Sequence, residues 1–271
     1  MTSRISVALI GAGSMGGALL RGWLEKSVID ALRSAAFDPA PASWLLDASR
    51  RHGFAINPAV ASGAYDALVI AVKPQGASDI LPSFSALAAD ALVVSVMAGK
   101  SVASISAALG GASAIVRAMP NLPAAVGAGA SALFATPGVS GAGRSVAETL
   151  MAAVGEAIWV DSEQAIDAAT AISGSGPAYF FLLGEALEGA ARKLGLSDEA
   201  ARRLARATLT GAGAYAAQDA RALDALRQAV TSPGGTTEAA LRIFNGDEAR
   251  LRRLVEEATA AAARRAGELT D

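Results

Sequence analysis

Residues 6–20 read SVALIGAGSMGGALL. The apolar β-type run SVALI passes directly into Gly11-Ala12-Gly13-Ser14-Met15-Gly16, and from there into a segment of helical spacing. Each glycine has its own physical use. Gly11 permits a tight turn, Gly13 lets main-chain N–H groups approach a pyrophosphate, and Gly16 lets the helix pack on the strand. The helix N-terminus adds partial positive charge toward an anion. Glycines alone would indicate little. Their place between a strand and a helix predicts a dinucleotide site at Gly11, Ala12, Gly13, Ser14, Met15 and Gly16.

Outward from this unit, apolar runs at SAAF (34–37), ALVIAV (67–72), LVVSVM (92–97), AIVRAM (114–119), SALFAT (131–136) and EAIWV (156–160) alternate with helical patterns such as WLLDASRRHG (44–53). Runs of this kind are expected of buried parallel strands, and the alternation predicts a doubly wound α/β sheet. We assign residues 1–162 to an N-terminal Rossmann dinucleotide-binding domain. After residue 162 the β-type runs vanish. Segments such as AYFFLLGEALEGAARKLGL, LDALRQAV and DEARLRRLVEEATAAAARRAG read as helices separated by Gly, Ser and Pro, which predicts an all-α domain over 163–271. Long apolar faces on so few helices suggest cover by a second subunit, a homodimer through this domain.

Composition removes several classes of function. Twenty-three basic against 25 acidic residues give a net charge of −2, with no basic block to neutralise a phosphate backbone, so nucleic acid is not an expected partner. The absence of cysteine excludes a thiolate nucleophile and a Cys-ligated metal, and suits a reducing cytoplasm. Residues 122–143 are uncharged, yet Pro123, Pro137 and repeated Gly, Ser and Thr make a poor membrane helix. The only histidine, His52, reads as a surface or capping residue beside Arg51, so no His-based triad or metal site is expected.

In a parallel sheet, ligands sit outside the carboxyl ends of the strands. Asp38 ends the second strand 22 residues after Gly16, near the spacing at which an acid meets the adenosine ribose; a turn aspartate before Pro39 is the alternative. Ala71-Val72-Lys73-Pro74 ends the next strand and should border the cofactor, as should Met97-Ala98-Gly99 and Met119-Pro120-Asn121. Neighbouring loops, Asn57 among them, could hold a phosphate instead.

In the helical half, TSPGGTTEAAL (231–241) breaks the helices, and so does Gly174-Ser175-Gly176-Pro177. Glycines expose N–H groups, threonines add hydroxyls, and TEAALRIF starts a helix whose N-terminus favours a carboxylate, so the first break reads as an anion cradle.

With AVKPQ (71–75), RAMPNLPAAVGAG (117–129), SGSGPAYFF (173–181) and TSPGGTTEAAL in this order after GAGSMG, nearly the whole chain resembles pyrroline-5-carboxylate reductase. The resemblance implies reduction of 1-pyrroline-5-carboxylate to L-proline by NADPH or NADH, a homodimer through the helical domain, and in many members further assembly into rings. It places Ser175, Gly176, Ser232, Gly234, Gly235 and Thr236 at the substrate. Thr237 is the candidate catalytic hydroxyl, a hydrogen-bond partner near the imine nitrogen or a relay from water. Neither Asp219 nor Asp224 aligns with the acid that some members place near the substrate amine. Two other functions fit parts of the pattern: a hydroxyacid dehydrogenase with Lys193 as base, and a non-catalytic redox sensor. The family often uses NADPH, whereas Asp38, with no Arg or Lys before Arg50, argues for NADH.

Overall fold

The computed structural model describes residues 4–60, 64–246 and 249–270. Asp247 and Glu248, where the last helical segment was expected to start, lie outside the described residues. The chain divides into two compact units, Met1–Ser175 with Ala262–Asp271, and Gly176–Ala261.

The first unit runs β1 (Val7–Ile10), α1 (Ser14–Glu25), β2 (Ala35–Phe37), α2 (Ser43–His52), β3 (Ala55–Ile56), β4 (Ala67–Ile70), α3 (Ala77–Ile80), α4 (Ser85–Ala88), β5 (Leu92–Ser95), α5 (Val102–Ala108), β6 (Ile115–Met119), β7 (Gly129–Ala135), α6 (Gly141–Ala152), β8 (Gly155–Trp159) and α7 (Glu163–Ala169). Among the described residues these strands form one sheet in the order β3-β2-β1-β4-β5-β6-β7-β8. The chain winds outward from β1 in one direction through β2 and β3, then in the other from β4 onward, so the topological switch point lies between β1 and β4.

Alternation along the strands builds a core on each face. Val7, Leu9, Val69 and Val94 pack with Leu19, Leu20 and Trp23 of α1, Leu45 of α2 and Leu150 of α6. Ala8, Ile10, Leu68, Ile70 and Val93 pack with Leu81, Phe84, Leu87 and Ile105 on the other face. Each large side chain removed from water contributes about 1.5–3 kcal/mol. Trp23 is fully buried and its indole Nε1–H donates to the Leu150 carbonyl at 2.7 Å, so its one polar atom has a partner.

Two features differ from the sequence expectation. The two-residue β3 is too short to show a period and was not foreseen. The run at 131–136, expected to be parallel, forms β7 antiparallel to β6, with Met119 opposite Ala132. A parallel return needs a crossover of about a dozen residues or more, usually a helix. Here a single 3₁₀ turn, Leu122–Val126, joins the strands and the chain doubles back. The helical pattern after residue 162 begins with α7, which lies in the first unit together with Ala262–Asp271, so the compact helical unit is Gly176–Ala261. His52 is exposed as the last residue of α2, which ends on Gly53 in the left-handed region (φ 84°).

A buried charge ties the late strands to α7. Arg117 on β6 is 2% exposed; its Nη1 lies 3.1 Å from Glu163 Oε1 and its Nη2 3.7 Å from Asp167 Oδ1. Glu163 Oε1 also accepts the Val102 N–H at 2.7 Å, and Asp167 Oδ1 accepts the Thr270 hydroxyl at 3.5 Å. Arg117 thereby joins β6, the start of α5, α7 and the C-terminal residues.

The second unit is helical: α8 (Gly176–Lys193), α9 (Asp198–Gln218), α10 (Leu223–Ala229), α11 (Thr236–Asn245) and most of α12 (Arg250–Leu269), whose last turns belong to the first unit. Phe180, Phe181 and Leu182 on α8 are each more than 60% exposed on the single chain.

Removing one partner of a buried ion pair is costly. Arg117→Ala is expected to lower unfolding free energy by about 3 kcal/mol in a urea titration. A loss under about 1 kcal/mol, the scale of an exposed pair, would show that the cluster does not hold these elements.

Candidate active site

The carboxyl ends of β2, β1, β4 and β5 lie side by side at the switch point, and the glycine turn sits between them. Gly11 has φ 88°, and a Cβ there would lie 2.8 Å from the Ala71 carbonyl oxygen. A Cβ on Gly16 would collide with the Gly11 carbonyl, so α1 can approach β1 this closely only without one. Gly13 differs: a Cβ would meet nothing within 4 Å. It is also the N-cap of α1 and offers no side-chain cap. The first-turn N–H groups of α1 have no helical carbonyl to bond. With these donors unpaired and the space beside Gly13 open, the turn fits a dinucleotide pyrophosphate.

Asp38 turns inward to this loop. Its Oδ2 accepts the Ala12 N–H and its Oδ1 the Ala40 N–H, both at 2.9 Å. Each oxygen keeps lone-pair capacity for a further donor. Asn57, expected as a cofactor contact, has another use. Held at φ 49°, it accepts the Asp38 N–H on Oδ1 at 2.9 Å and donates Nδ2–H to the Asp38 carbonyl at 2.8 Å, which braces Asp38.

The remaining cofactor candidates surround the same edge. Ala71 and Val72 flank Gly11, and Lys73 is exposed ahead of the 3₁₀ turn Pro74–Gly76. Met97 contributes only main chain, because its side chain is 2% exposed in the core. Ala98 is exposed. Gly99, at φ 65°, faces the Leu269 carbonyl, where a Cβ would come within 2.6 Å, so its glycine has a packing reason independent of any ligand.

The Gly174-Ser175-Gly176-Pro177 break is not a loop. Thr170–Gly174 forms a π-turn, Ser175 keeps helical dihedrals and α8 follows. The Ser175 N–H bonds the Thr170 carbonyl at 2.8 Å, one residue further back than in an α-helix.

In the second unit the Pro-Gly-Gly turn is a true break, with Gly234 at φ 71° and Gly235 as N-cap of α11. Its glycine N–H groups, expected to be exposed, are engaged. Gly234 donates to Glu238 Oε2 at 2.6 Å and Gly235 to the Ser232 carbonyl at 3.0 Å. That Gly234 hydrogen bond, with Arg242 beside the other oxygen, holds the Glu238 carboxyl below its ordinary value. The first-turn N–H groups of Thr236 and Thr237 are left without helical acceptors. Thr237 is half-buried and Ser232 exposed. Asp219 is gripped by Arg221, whose hydrogen bond lowers its pKa, the wrong direction for a proton donor. Asp224 accepts the Ala225 N–H within the first turn of α10, and Lys193 is exposed at the end of α8. Reading the residues alone missed Glu238, whose position four residues after Gly234 on the next helix was the available signal.

A strand–glycine-turn–helix unit at a switch point, followed by a helical domain, defines the class of dinucleotide-dependent oxidoreductases. A family profile described as "NADP oxidoreductase coenzyme F420-dependent" matches residues 6–99, and one described as "Pyrroline-5-carboxylate reductase dimerisation" matches residues 163–269. The chain is 43% identical to a pyrroline-5-carboxylate reductase of Pseudomonas aeruginosa, over 98% of this chain and 97% of that one. It is 35% identical to the Haemophilus influenzae enzyme of that name, over 97% of each. A solved pyrroline-5-carboxylate reductase from Coxiella burnetii superposes with a TM-score of 0.91 at 38% identity, covering 99% of this chain and 100% of the other. A Plasmodium falciparum pyrroline carboxylate reductase with NADP bound superposes at 0.79 with 26% identity, covering 98% of each. The chain belongs to the pyrroline-5-carboxylate reductase family.

Gly13 has φ −68° and free space, so a valine there should fold. We expect Gly13→Val to change stability by less than about 1 kcal/mol while weakening dinucleotide binding at least about tenfold, read by titrating nicotinamide fluorescence. Undiminished affinity would remove the pyrophosphate from this turn.

Proposed function

We propose that this chain reduces 1-pyrroline-5-carboxylate to L-proline with NADPH or NADH, the last step of proline synthesis. The observation that carries the reading is the pairing, in one chain, of the open Gly13 turn with the Pro-Gly-Gly turn of α11, in a protein 43% identical to a named pyrroline-5-carboxylate reductase.

When bound, the reduced nicotinamide supplies the hydride. The protein's own part is to hold and orient. Main-chain N–H groups of Gly13, Ser14, Met15 and Gly16 take the pyrophosphate, Gly11 and Ala12 shape the turn through their bonds to Phe37 and Asp38, Asp38 takes the ribose, and Ala71, Val72, Lys73, Pro74, Met97, Ala98 and Gly99 line the cofactor edge with Asn57. Ser175, Gly176, Ser232, Gly234, Gly235 and Thr236 are assigned to the substrate. Because Glu238 occupies the Gly234 N–H, the substrate carboxylate is placed on the first-turn N–H groups of α11, where the helix dipole favours it. The Thr237 hydroxyl sits beside the imine nitrogen as hydrogen-bond partner or relay from water; a threonine is too weak an acid to serve as a tuned proton donor. A protonated imine is already electrophilic, so orientation supplies most of what the protein must add.

The assembly we assign is a homodimer through the helical unit, in the reducing cytoplasm and without nucleic acid. The exposed Phe180, Phe181 and Leu182 within the dimerisation match support the dimer. Among the described residues no helix is long and apolar enough to cross a membrane.

Turnover is tested by following reduced dinucleotide absorbance with pyrroline-carboxylate and, separately, with small hydroxyacids. Only the imine should be consumed. Thr237→Ala is expected to keep dinucleotide affinity and lose rate by about 10-fold to 100-fold, the scale of one lost hydrogen bond. Equal loss of dinucleotide binding would make the loop merely structural, and Lys193→Ala alone abolishing turnover would favour hydroxyacid chemistry.

Asp38 places a negative charge where NADPH carries its 2′-phosphate, and NADH should suffer no such repulsion. Asp38→Ser is expected to raise kcat/KM for NADPH relative to NADH by at least about tenfold, roughly 1.4 kcal/mol, with a parallel shift in the two dissociation constants. An unchanged ratio would reduce Asp38 to a brace for the Ala12 N–H.

A further inference from the structure

We propose that Asn121 is a positioning residue that locks the turn at Ser173–Ser175 to the carboxyl end of β6; the proposal rests on the reading that Ser175 and Gly176 meet the imine substrate.

The Ser173 carbonyl is orphaned by the residue that follows it in the helix. In an α-helix the Ser173 C=O would accept the N–H of the residue four places on, but that residue is Pro177, which has none. The π-turn at Thr170–Gly174 leads into this segment, and the missing Pro177 N–H leaves the oxygen without its α-helical donor. Asn121 Nδ2–H supplies one at 2.8 Å. A second orphan sits nearby. The β6–β7 ladder ends with Met119 opposite Ala132, so Ala130 lies beyond it, and Asn121 Oδ1 accepts its N–H at 2.9 Å. Ala130 can only donate and the Ser173 carbonyl can only accept, which fixes the amide's orientation.

Asn121 is 8% exposed, so both hydrogen bonds are shielded from competing water. Its side chain thus joins three segments of the first unit: the turn after β6, the first residues of β7, and the π-turn. Gly174 faces Met119 in the same contact, where a Cβ would come 3.3 Å from its Cε. β6 borders β5, after which Met97-Ala98-Gly99 line the proposed cofactor edge. The register of Ser175 against that edge is set by one amide, and a displacement near 1 Å at such a position can cost about 10²-fold in rate.

The isosteric Asn121→Asp keeps the acceptor for Ala130 and loses the donor to Ser173; Asn121→Ala loses both. Steady-state kinetics of the intact protein, dinucleotide titration and hydrogen exchange of residues 170–176 are compared with the unsubstituted chain. Expected are dinucleotide affinity within about twofold, KM for the imine raised and kcat lowered, each by about tenfold, and faster exchange across 170–176. If Asn121→Ala does not fold, Asn121→Asp carries the same comparison. A lower melting temperature with unchanged kcat and KM, or an equal loss of dinucleotide binding, would overturn the proposal. If the unsubstituted chain itself fails to reduce the imine, the functional reading falls instead, and unchanged exchange at 170–176 in Asn121→Asp would then overturn the clamp on its own.

Discussion

The structure turns on how closely α1 approaches β1. Gly16 leaves no atom between its own Cα and the Gly11 carbonyl, and Gly11, at φ 88°, brings the turn against Ala71 at the end of β4. A side chain at either position would push the helix off the strand. Because neither carries one, the first turn of α1 lies directly above the switch point between β1 and β4. Asp38 belongs to the same constraint, since its Oδ2 accepts the Ala12 N–H and holds the turn to the end of β2.

The helices differ in whether a side chain caps their first turn. Ser101, Ser140, Ser162 and Ser197 each accept a main-chain N–H in the first turn of the helix they precede, a cap typically contributing about 1 kcal/mol. α1 and α11 instead start at Gly13 and Gly235, with no side-chain cap. A serine there would have satisfied N–H groups that an anion needs. α2, α3, α4 and α10 also lack side-chain caps, and α3 too starts at a glycine, Gly76, so an uncapped glycine start does not by itself mark a ligand site. Glu238 complicates α11 by holding the Gly234 N–H with its own carboxylate, so its first turn, not its glycines, remains for a substrate anion.

Local patterns were legible where one segment decided its own structure. SVALI followed by a glycine turn placed β1 and α1, the apolar runs located the longer strands, and the loss of such runs after residue 162 marked the helical half. Features decided by a distant partner were not legible. β7 reverses direction because the chain between it and β6 is too short for a crossover, and no residue in SALFAT records that. Met97 reads as a strand-end residue, but only the packing shows its side chain in the core. Asn57 reads as a loop polar residue; its left-handed dihedral turns the amide back on Asp38. Asn121 answers an absence, the missing N–H of Pro177, fifty-six positions along the chain.

The assignment of a preformed cofactor cradle and a separate substrate turn is tested most directly by a crystal structure of the protein with NADPH or NADH and L-proline bound. The account requires the pyrophosphate oxygens within hydrogen-bond distance of main-chain N–H groups at the start of α1, and the proline carboxylate on the N–H groups of Thr236 and Thr237 with the ring nitrogen beside the Thr237 hydroxyl. A pyrophosphate bound away from the Gly13 turn, or a proline carboxylate held by side chains elsewhere while Thr236 and Thr237 stay unliganded, would contradict it.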